Sequence, residues 1–418
     1  EEALVSGFDP SLLGLADHPG DGNEFLRERL LPIVEKTTQA VANFGLLNQA
    51  DAGAVLLDAC TRLRELHRDL RDAGLEPPCA AALDRYFVYR SGAFQEAAAR
   101  CMGLELEGLS DRLRTVPGDR FRVSARLWSK RGIGVDSARF RLAAPRGWSE
   151  ADGVSSGDES STDDSMPGTG KTASFEVEIE EWTDLSGPYW LAQERDSCQY
   201  HWPEAAFAGQ ALGTPPEVIC DLQLRGQSLT LRSDIVCRSS FPGGYRELPP
   251  AVLPPVSIHP KFRDAFLPLR TSPTTLELQL VIRNNSSEPV RGRLDLQTPQ
   301  DWKATPSGIE VSLETDEAKG FRQTVTVPAH VSAGRRDLEY RVQCGERAYS
   351  VDLTPIRMGA PGVATVDASN CIREEHILKP ARVTVHSMDV QLAERQRYAY
   401  IPGAAEKVRD TLALFGVS

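Results

Sequence analysis

A pattern that occurs twice constrains the fold of this chain more than any other feature. Arg139-Phe-Arg-Leu-Ala-Ala-Pro145-Arg-Gly-Trp148 and Arg293-Leu-Asp-Leu-Gln-Thr-Pro299-Gln-Asp-Trp302 each read as an alternating strand ending in Pro-x-x-Trp. An alternating strand precedes each copy, Phe121 to Leu127 and Leu276 to Ile282, and another follows, Ser174 to Ile179 and Gln323 to Val327. Alternation puts successive side chains on opposite faces, so each set is a group of half-buried strands that must close over a shared core. Two such sets predict two β-sandwich modules, an architecture that usually binds, spaces or braces rather than catalyses.

The 418 residues suffice for about three domains. A net charge of −12 argues against nucleic acid, whose phosphates need a clustered basic face. No run of about 18 apolar residues is present to span a bilayer. The chain opens at Glu1 with no basic stretch leading into an apolar core, so no targeting signal is visible and the chain reads as cut from something longer. The compartment is not set by these features, with an extracytoplasmic one, periplasmic or secreted, favoured. Eight cysteines (Cys60, Cys79, Cys101, Cys198, Cys220, Cys237, Cys344 and Cys371) lie far apart, without the Cys-x-x-Cys spacing of zinc or redox sites. They are expected to behave as small buried apolar residues. Cys220 and Cys237 fall on apparently adjacent strands and could pair in an oxidising compartment.

Residues 1–103 read as a helical bundle. Leu26, Leu30, Thr37, Val41 and Phe44 recur at steps of mostly three or four, as do Leu56, Cys60, Leu63, Leu66 and Leu70. A third helix is expected after Pro77-Pro78, running through Tyr86, Phe87 and Phe94 to about Cys101. From Leu104 the period changes to two, and the first module is placed at 104–248. Its stretch 150–172, rich in Ser, Gly and Asp, is expected to be a mobile loop. Residues 217–225 and 228–238 look like a hairpin joined through Gly226-Gln227. The proline-rich 249–256 reads as a stiff linker, and the second module follows at 257–357. Residues 358–418 hold short strands, Ala381 to Val385 and Asp389 to Leu392. They end with Tyr398 to Gly416, whose strand, glycine turn, helix and glycine stop open an α/β unit.

Few residues point to chemistry. Pro167-Gly-Thr-Gly-Lys171-Thr172 matches the end of a phosphate-binding loop, but Ser165 stands where the full spacing needs glycine, and a strand follows where a helix should. Asp17-His18-Pro19-Gly20-Asp21 could ligate zinc, yet no second histidine is close, and Asp21 or Asn23 equally suits a helix cap. Glu180-Glu181 and Glu374-Glu375 read as solvated strand ends or turns, because neighbouring strand residues face opposite ways. Asn284-Asn285-Ser286-Ser287 contains glycosylation sequons and reads more strongly as a turn. Trp182, Tyr189, Trp190, Tyr200 and Trp202 concentrate aromatic surface that could stack on sugars, although packing into a module seam is the stronger reading, and stronger still for Trp148 and Trp302.

Three segments resemble the non-catalytic, C-terminal accessory region of long bacterial LmbE/PIG-L proteins, a family of zinc-dependent N-deacetylases of N-acetylglucosamine-type substrates. They are Gly7 to Leu12, Gly187-Pro-Tyr-Trp-Leu191, and Tyr400 to Gly416, the last similar to the start of that family's glutamine-amidotransferase-like domain. The family's Ala-His-Pro-Asp-Asp-Glu signature has no counterpart here. The resemblance therefore assigns no catalytic, cofactor-binding or metal-binding residue, and expects no cofactor in this segment. The expected fold is multidomain α + β: an N-terminal helical bundle, two immunoglobulin-like antiparallel sandwiches and a truncated α/β start. The expected function is to position a catalytic deacetylase domain, in the same parent chain or a separate one, with a glycan as a further partner. The alternative is a stand-alone cell-surface protein that binds carbohydrate or protein.

Overall fold

The computed structural model describes residues 23–45, 48–72, 77–151, 170–188, 216–241, 244–359 and 371–389, with single positions at 12, 191 and 199. Most of these residues lie in strands, and the chain is a β-rich, multidomain protein.

Helices α1 (Asn23–Ala42), α2 (Gln49–Asp72) and α3 (Pro77–Met102) pack in chain order around Leu30, Ile33, Cys60, Leu63, Leu66 and Phe87. The stripe on α2 is the expected one. On α1 the core face is Leu30, Ile33 and Ala40, whereas Val41 and Phe44, expected inside, are 71% and 55% exposed at the helix end. Gly103, at φ 67°, ends α3 in the left-handed region, and strand β1 begins one residue later.

The first module contains β1 (Leu104–Ser110), β2 (Arg114–Thr115), β3 (Arg120–Ser129), β4 (Ser137–Ala143), β5 (Trp148–Glu150), β6 (Lys171–Ile179), β7 (Glu217–Leu224), β8 (Gln227–Phe241), β9 (Gly244–Leu248) and β10 (Ala251–Val252). The strand order is β4-β7-β8-β1-β3-β6-β5. The first part of β8 pairs with β7, and its later part with β1 and β9, so this one strand serves both layers. The β7–β8 turn is Arg225-Gly226 rather than Gly226-Gln227. Both residues have positive φ, 51° and 77°, as a two-residue hairpin turn of this hand requires.

The expected boundary at residue 103 does not separate independent cores. Leu57, Ala98, Ala99 and Met102 of the helices share one core with Leu104, Leu127, Cys220 and Leu222 of the strands, so the helices and the first module pack as one unit across residue 103. The proline-rich 249–256 is pinned rather than a free spacer. Its β10 pairs with β2, Leu253 N–H donates to Thr115 O at 2.8 Å, and Val252 N–H donates to Ser186 Oγ at 2.8 Å. Glu150, Lys171 and Thr172, at the edges of the expected mobile loop, are strand residues, and the rest of that loop apart from Ala151 and Gly170 lies outside the described residues.

The second module contains β11 (Val256–Pro260), β12 (Asp264–Pro268), β13 (Thr274–Asn284), β14 (Val290–Gln297), β15 (Lys303–Thr305), β16 (Ile309–Leu313), β17 (Ala318–Val327), β18 (Gly334–Cys344), β19 (Arg347–Tyr349), β20 (Val351–Gly359), β21 (Cys371–Pro380) and β22 (Arg382–Met388). A β11-β13-β17-β15 sheet faces a β12-β22-β18-β14-β16 sheet across one apolar core, which makes this module a β-sandwich. The module extends past residue 357, because β22, expected to belong to the next unit, pairs with β12 and β18 and buries Val383 and Val385. β20 and β21 form a separate two-stranded ribbon. The α/β start at Tyr398 to Gly416 lies outside the described residues.

The sequence repeat corresponds to a repeat of pairing. β6 joins β3 and β5 as β17 joins β13 and β15, and β4 pairs with β7 as β14 pairs with β18. β1 pairs with both β3 and β8, whereas in the second module β11 takes the first role and β12 the second. Each Pro-x-x-Trp is the same turn: Trp148 N–H donates to Pro145 O at 3.1 Å, and Trp302 N–H to Pro299 O at 3.0 Å.

Tyr340 is fully buried in the second core, and its hydroxyl has no hydrogen-bond partner among the described residues. A buried hydroxyl left unpaired carries its desolvation cost, so Tyr340→Phe is expected to raise stability by about 1 kcal/mol. Urea denaturation measures this, and a loss of similar size would show that the hydroxyl is satisfied.

Candidate functional site

Because α3 reverses into β1 at Gly103, the helix packs Ala98, Ala99 and Met102 against the strands that follow it. Between them runs an open groove of about 1500 Å³. Its floor is the run Thr230 to Asp234 of β8, residues of both strand faces including the core residue Leu231, with Val236 and Arg238 beyond it. α3 contributes Tyr89, Gly92, Gln95 and Glu96, and the Gln95 carboxamide oxygen accepts the Thr230 N–H at 2.9 Å, which fixes helix to strand. Tyr245 and Glu247 of β9 and Trp128 of β3 complete the wall.

The charges in the groove are mostly paired. Arg238 bonds to Glu107 and, at 2.8 Å through Nε, to Glu247, and its guanidinium lies 4.8 Å from the Tyr245 ring centroid. Arg232 pairs with Glu217 at 3.0 Å, Arg141 with Asp221 at 3.1 Å and Arg100 with Glu96 at 2.6 Å. Asp234 makes no ion pair among the described residues. Desolvation and the neighbouring Glu217 carboxylate raise its carboxyl above the ordinary aspartate value. This surface can offer aromatic faces and fixed planar donors and acceptors.

The residues singled out from sequence are dispersed. Lys171 opens β6 and Thr172 pairs with Arg126 on β3, so no helix follows the glycines as a phosphate loop would need. Asp17 to Asp21 lies outside the described residues, as do Tyr189, Trp190, Tyr200 and Trp202. Trp182 is 59% exposed, with the Arg146 guanidinium 5.4 Å from its ring centroid, so it does not fill a seam. Trp302 is 5% exposed within the second core, and Trp148 packs edge-on against Phe121 at 5.3 Å. Asn284 is buried, and its carboxamide donates to Glu288 O and Glu314 O at 2.7 and 3.0 Å, as a turn residue does. Cys220 and Cys237 are both free. The cross-strand partner of Cys220 is Leu231, and Cys237 lies six residues further along β8, roughly 20 Å away at strand rise, too far for a bridge. Among the described residues no group of three or more His, Cys, Asp or Glu is arranged to hold a metal, so none of them is assigned to zinc.

The Glu374 side chain, expected to be solvated, is only 5% exposed. Its carboxylate meets Arg357 Nε at 2.8 Å, His376 Nε2 at 3.3 Å and Arg114 Nη2 at 3.5 Å. Arg114 comes from β2 and the other three from the β20–β21 ribbon, so the cluster ties the first module to the far end of the chain. Glu181 acts similarly, pairing with Arg347 at 3.0 Å across the modules.

The architecture is that of a β-rich, multidomain protein with a β-sandwich module held against a helix-backed partner. Residues 272–345, spanning β13 to β18, match the NPCBM-associated, NEW3 domain of alpha-galactosidase. No match to the LmbE/PIG-L family accompanies it. A search of curated protein sequences finds no match to the chain. Similar solved structures include a family 123 glycoside hydrolase from Clostridium perfringens, at 8% identity and TM-score 0.20 over 32% of this chain and 28% of that one. A Salmonella alpha-2-macroglobulin mutant aligns at 15% identity and TM-score 0.23 over 69% of this chain and 16% of the other. PapD-like domain 7 of human CEP192 aligns at 11% identity and TM-score 0.18 over 34% and 93%. The chain thus spans less than a third of the hydrolase and of the macroglobulin.

Proposed function

We propose that this chain is a non-catalytic accessory segment of a larger carbohydrate-active protein, in which paired sandwiches space and brace a catalytic domain. The observation that carries this reading is the NEW3 match on the second module, a domain type associated with a carbohydrate-binding module of alpha-galactosidase. The first module repeats that module's strand pairing, which extends the same role over both. In this reading the modules are immunoglobulin-like, the helices form a bundle that stiffens one end, and the setting is extracytoplasmic.

The finer form of the proposal makes the catalytic partner a zinc-dependent N-deacetylase of LmbE/PIG-L type, supported by the motifs at Gly7 to Leu12, Gly187 to Leu191 and Tyr400 to Gly416. The catalytic domain would then be attached or separate, and the zinc would be held there. A second reading, a stand-alone carbohydrate- or protein-binding protein, is favoured by the aromatic-walled groove. Assays of the purified chain for N-acetylglucosaminide deacetylation and α-galactoside hydrolysis, with zinc measured by elemental mass spectrometry, separate these from a catalytic role. The expected result is neither turnover nor stoichiometric metal, and either one overturns the accessory reading.

A further inference from the structure

We propose that the groove between α3 and strands β1, β8 and β9 binds a neutral oligosaccharide. This deepens the accessory reading and rests on it for one premise, that the parent protein acts on carbohydrate.

Aromatic rings stand at the rim while remaining accessible. Tyr245 is 62% exposed although Arg238 holds one side of its ring, and Glu107 and Glu247 hold Arg238 in turn. Tyr89 on the opposite wall is 72% exposed. A fixed, solvent-facing ring presents an apolar face without the ordering cost of a mobile one, and the apolar C–H face of a pyranose is its natural complement.

The charges select against other ligands. Each groove arginine named above is already paired with a carboxylate, and the unpaired Asp234 adds negative charge to the floor, so no cationic strip remains for phosphates or an acidic glycan. Along Gln227 to Asp234 β8 pairs with β7 alone, and the Thr230 N–H on its other edge is taken by the Gln95 carboxamide rather than left for an added peptide strand. What remains is a trough of paired guanidinium and carboxylate groups, rich in fixed donors and acceptors, which suits a chain of hydroxyls. Its volume of about 1500 Å³ exceeds the roughly 300–1,000 Å³ of single small-molecule sites and leaves room for more than one sugar unit.

The test is native affinity electrophoresis of the whole chain in gels containing galactomannan, xylan or mixed-linkage β-glucan, with polygalacturonate as the anionic contrast, and calorimetry with N-acetylglucosamine oligomers. At least one neutral glycan is expected to bind. Tyr245→Ala and Tyr89→Ala should each weaken that binding by about three- to tenfold, with unchanged thermal melts because both rings are exposed. Gly92→Phe should abolish it, since a Cβ at Gly92 meets nothing within 4 Å and the added ring would occupy the groove. Binding by none of the neutral glycans overturns the proposal. So does retardation by polygalacturonate alone, or wild-type binding by the folded Gly92→Phe variant. The accessory reading is tested separately by turnover and zinc, and survives a failure of glycan binding.

Discussion

Glu374→Gln is expected to lower stability by roughly 1.5–3 kcal/mol, because removing the anion takes the charged hydrogen-bond partner from the part-exposed Arg114 and Arg357. Arg357 and Arg114 would lose their shared partner. Arg283, whose Nε is buried without a hydrogen bond among the described residues, already has its own charge disfavoured by burial and by Arg114. The substitution is close to isosteric, so the loss reports charge rather than volume. The hydrogen bond from His376, with that from Arg357 and the charge of Arg114, holds the Glu374 carboxyl well below the usual range against the effect of its burial. A carboxylate depressed in the folded state contributes stability that is complete above its unfolded value of 4.5 and is lost as pH falls below it. The wild-type chain should therefore weaken progressively on acidification below that value, and the variant should show a shallower acid limb. Urea denaturation at neutral and acid pH measures both, and a difference under about 1 kcal/mol at neutral pH would sink the prediction.

Trp302→Ala is expected to cost roughly 3–5 kcal/mol, the usual consequence of emptying a large buried aromatic site. The ring is 5% exposed and closes one end of the second core, behind the turn at Pro299. Trp182→Ala should change stability by no more than about 0.5 kcal/mol, because that ring is on the surface with only Arg146 near its face. Comparing the two variants by thermal denaturation separates a core tryptophan from an exposed one, and equal losses would contradict the burial pattern.

What could be read from the sequence was local. Alternation placed β3, β4, β6, β13, β14 and β17, and the Pro-x-x-Trp repeat identified the two modules as variants of one strand plan, because side-chain period and turn chemistry are properties of neighbouring residues. What escaped depended on contacts between distant segments. Glu374 and Glu375 looked like an exposed pair because the sequence does not show that β20 brings Arg357 opposite Glu374, or that Arg114, 260 residues earlier, lies against it. The outward row Thr230, Arg232, Asp234 and Arg238 was visible as polar alternation, but not that α3 lies beside it. Pro249 to Pro255 read as a stiff linker because proline stiffness is local, whereas the bonds from Leu253 and Val252 that pin it reach Thr115 and Ser186.

The parallel pairing of β12 with β22 has a mechanical consequence. Asp264 to Pro268 lie near the start of the second module and pair in register with Thr384 to Met388 at its end. Tension along the chain pulls these strands past one another, so their hydrogen bonds bear the load together instead of opening one by one from an end. At this joint the module would resist stretching far better than a strand pair that opens residue by residue from one end.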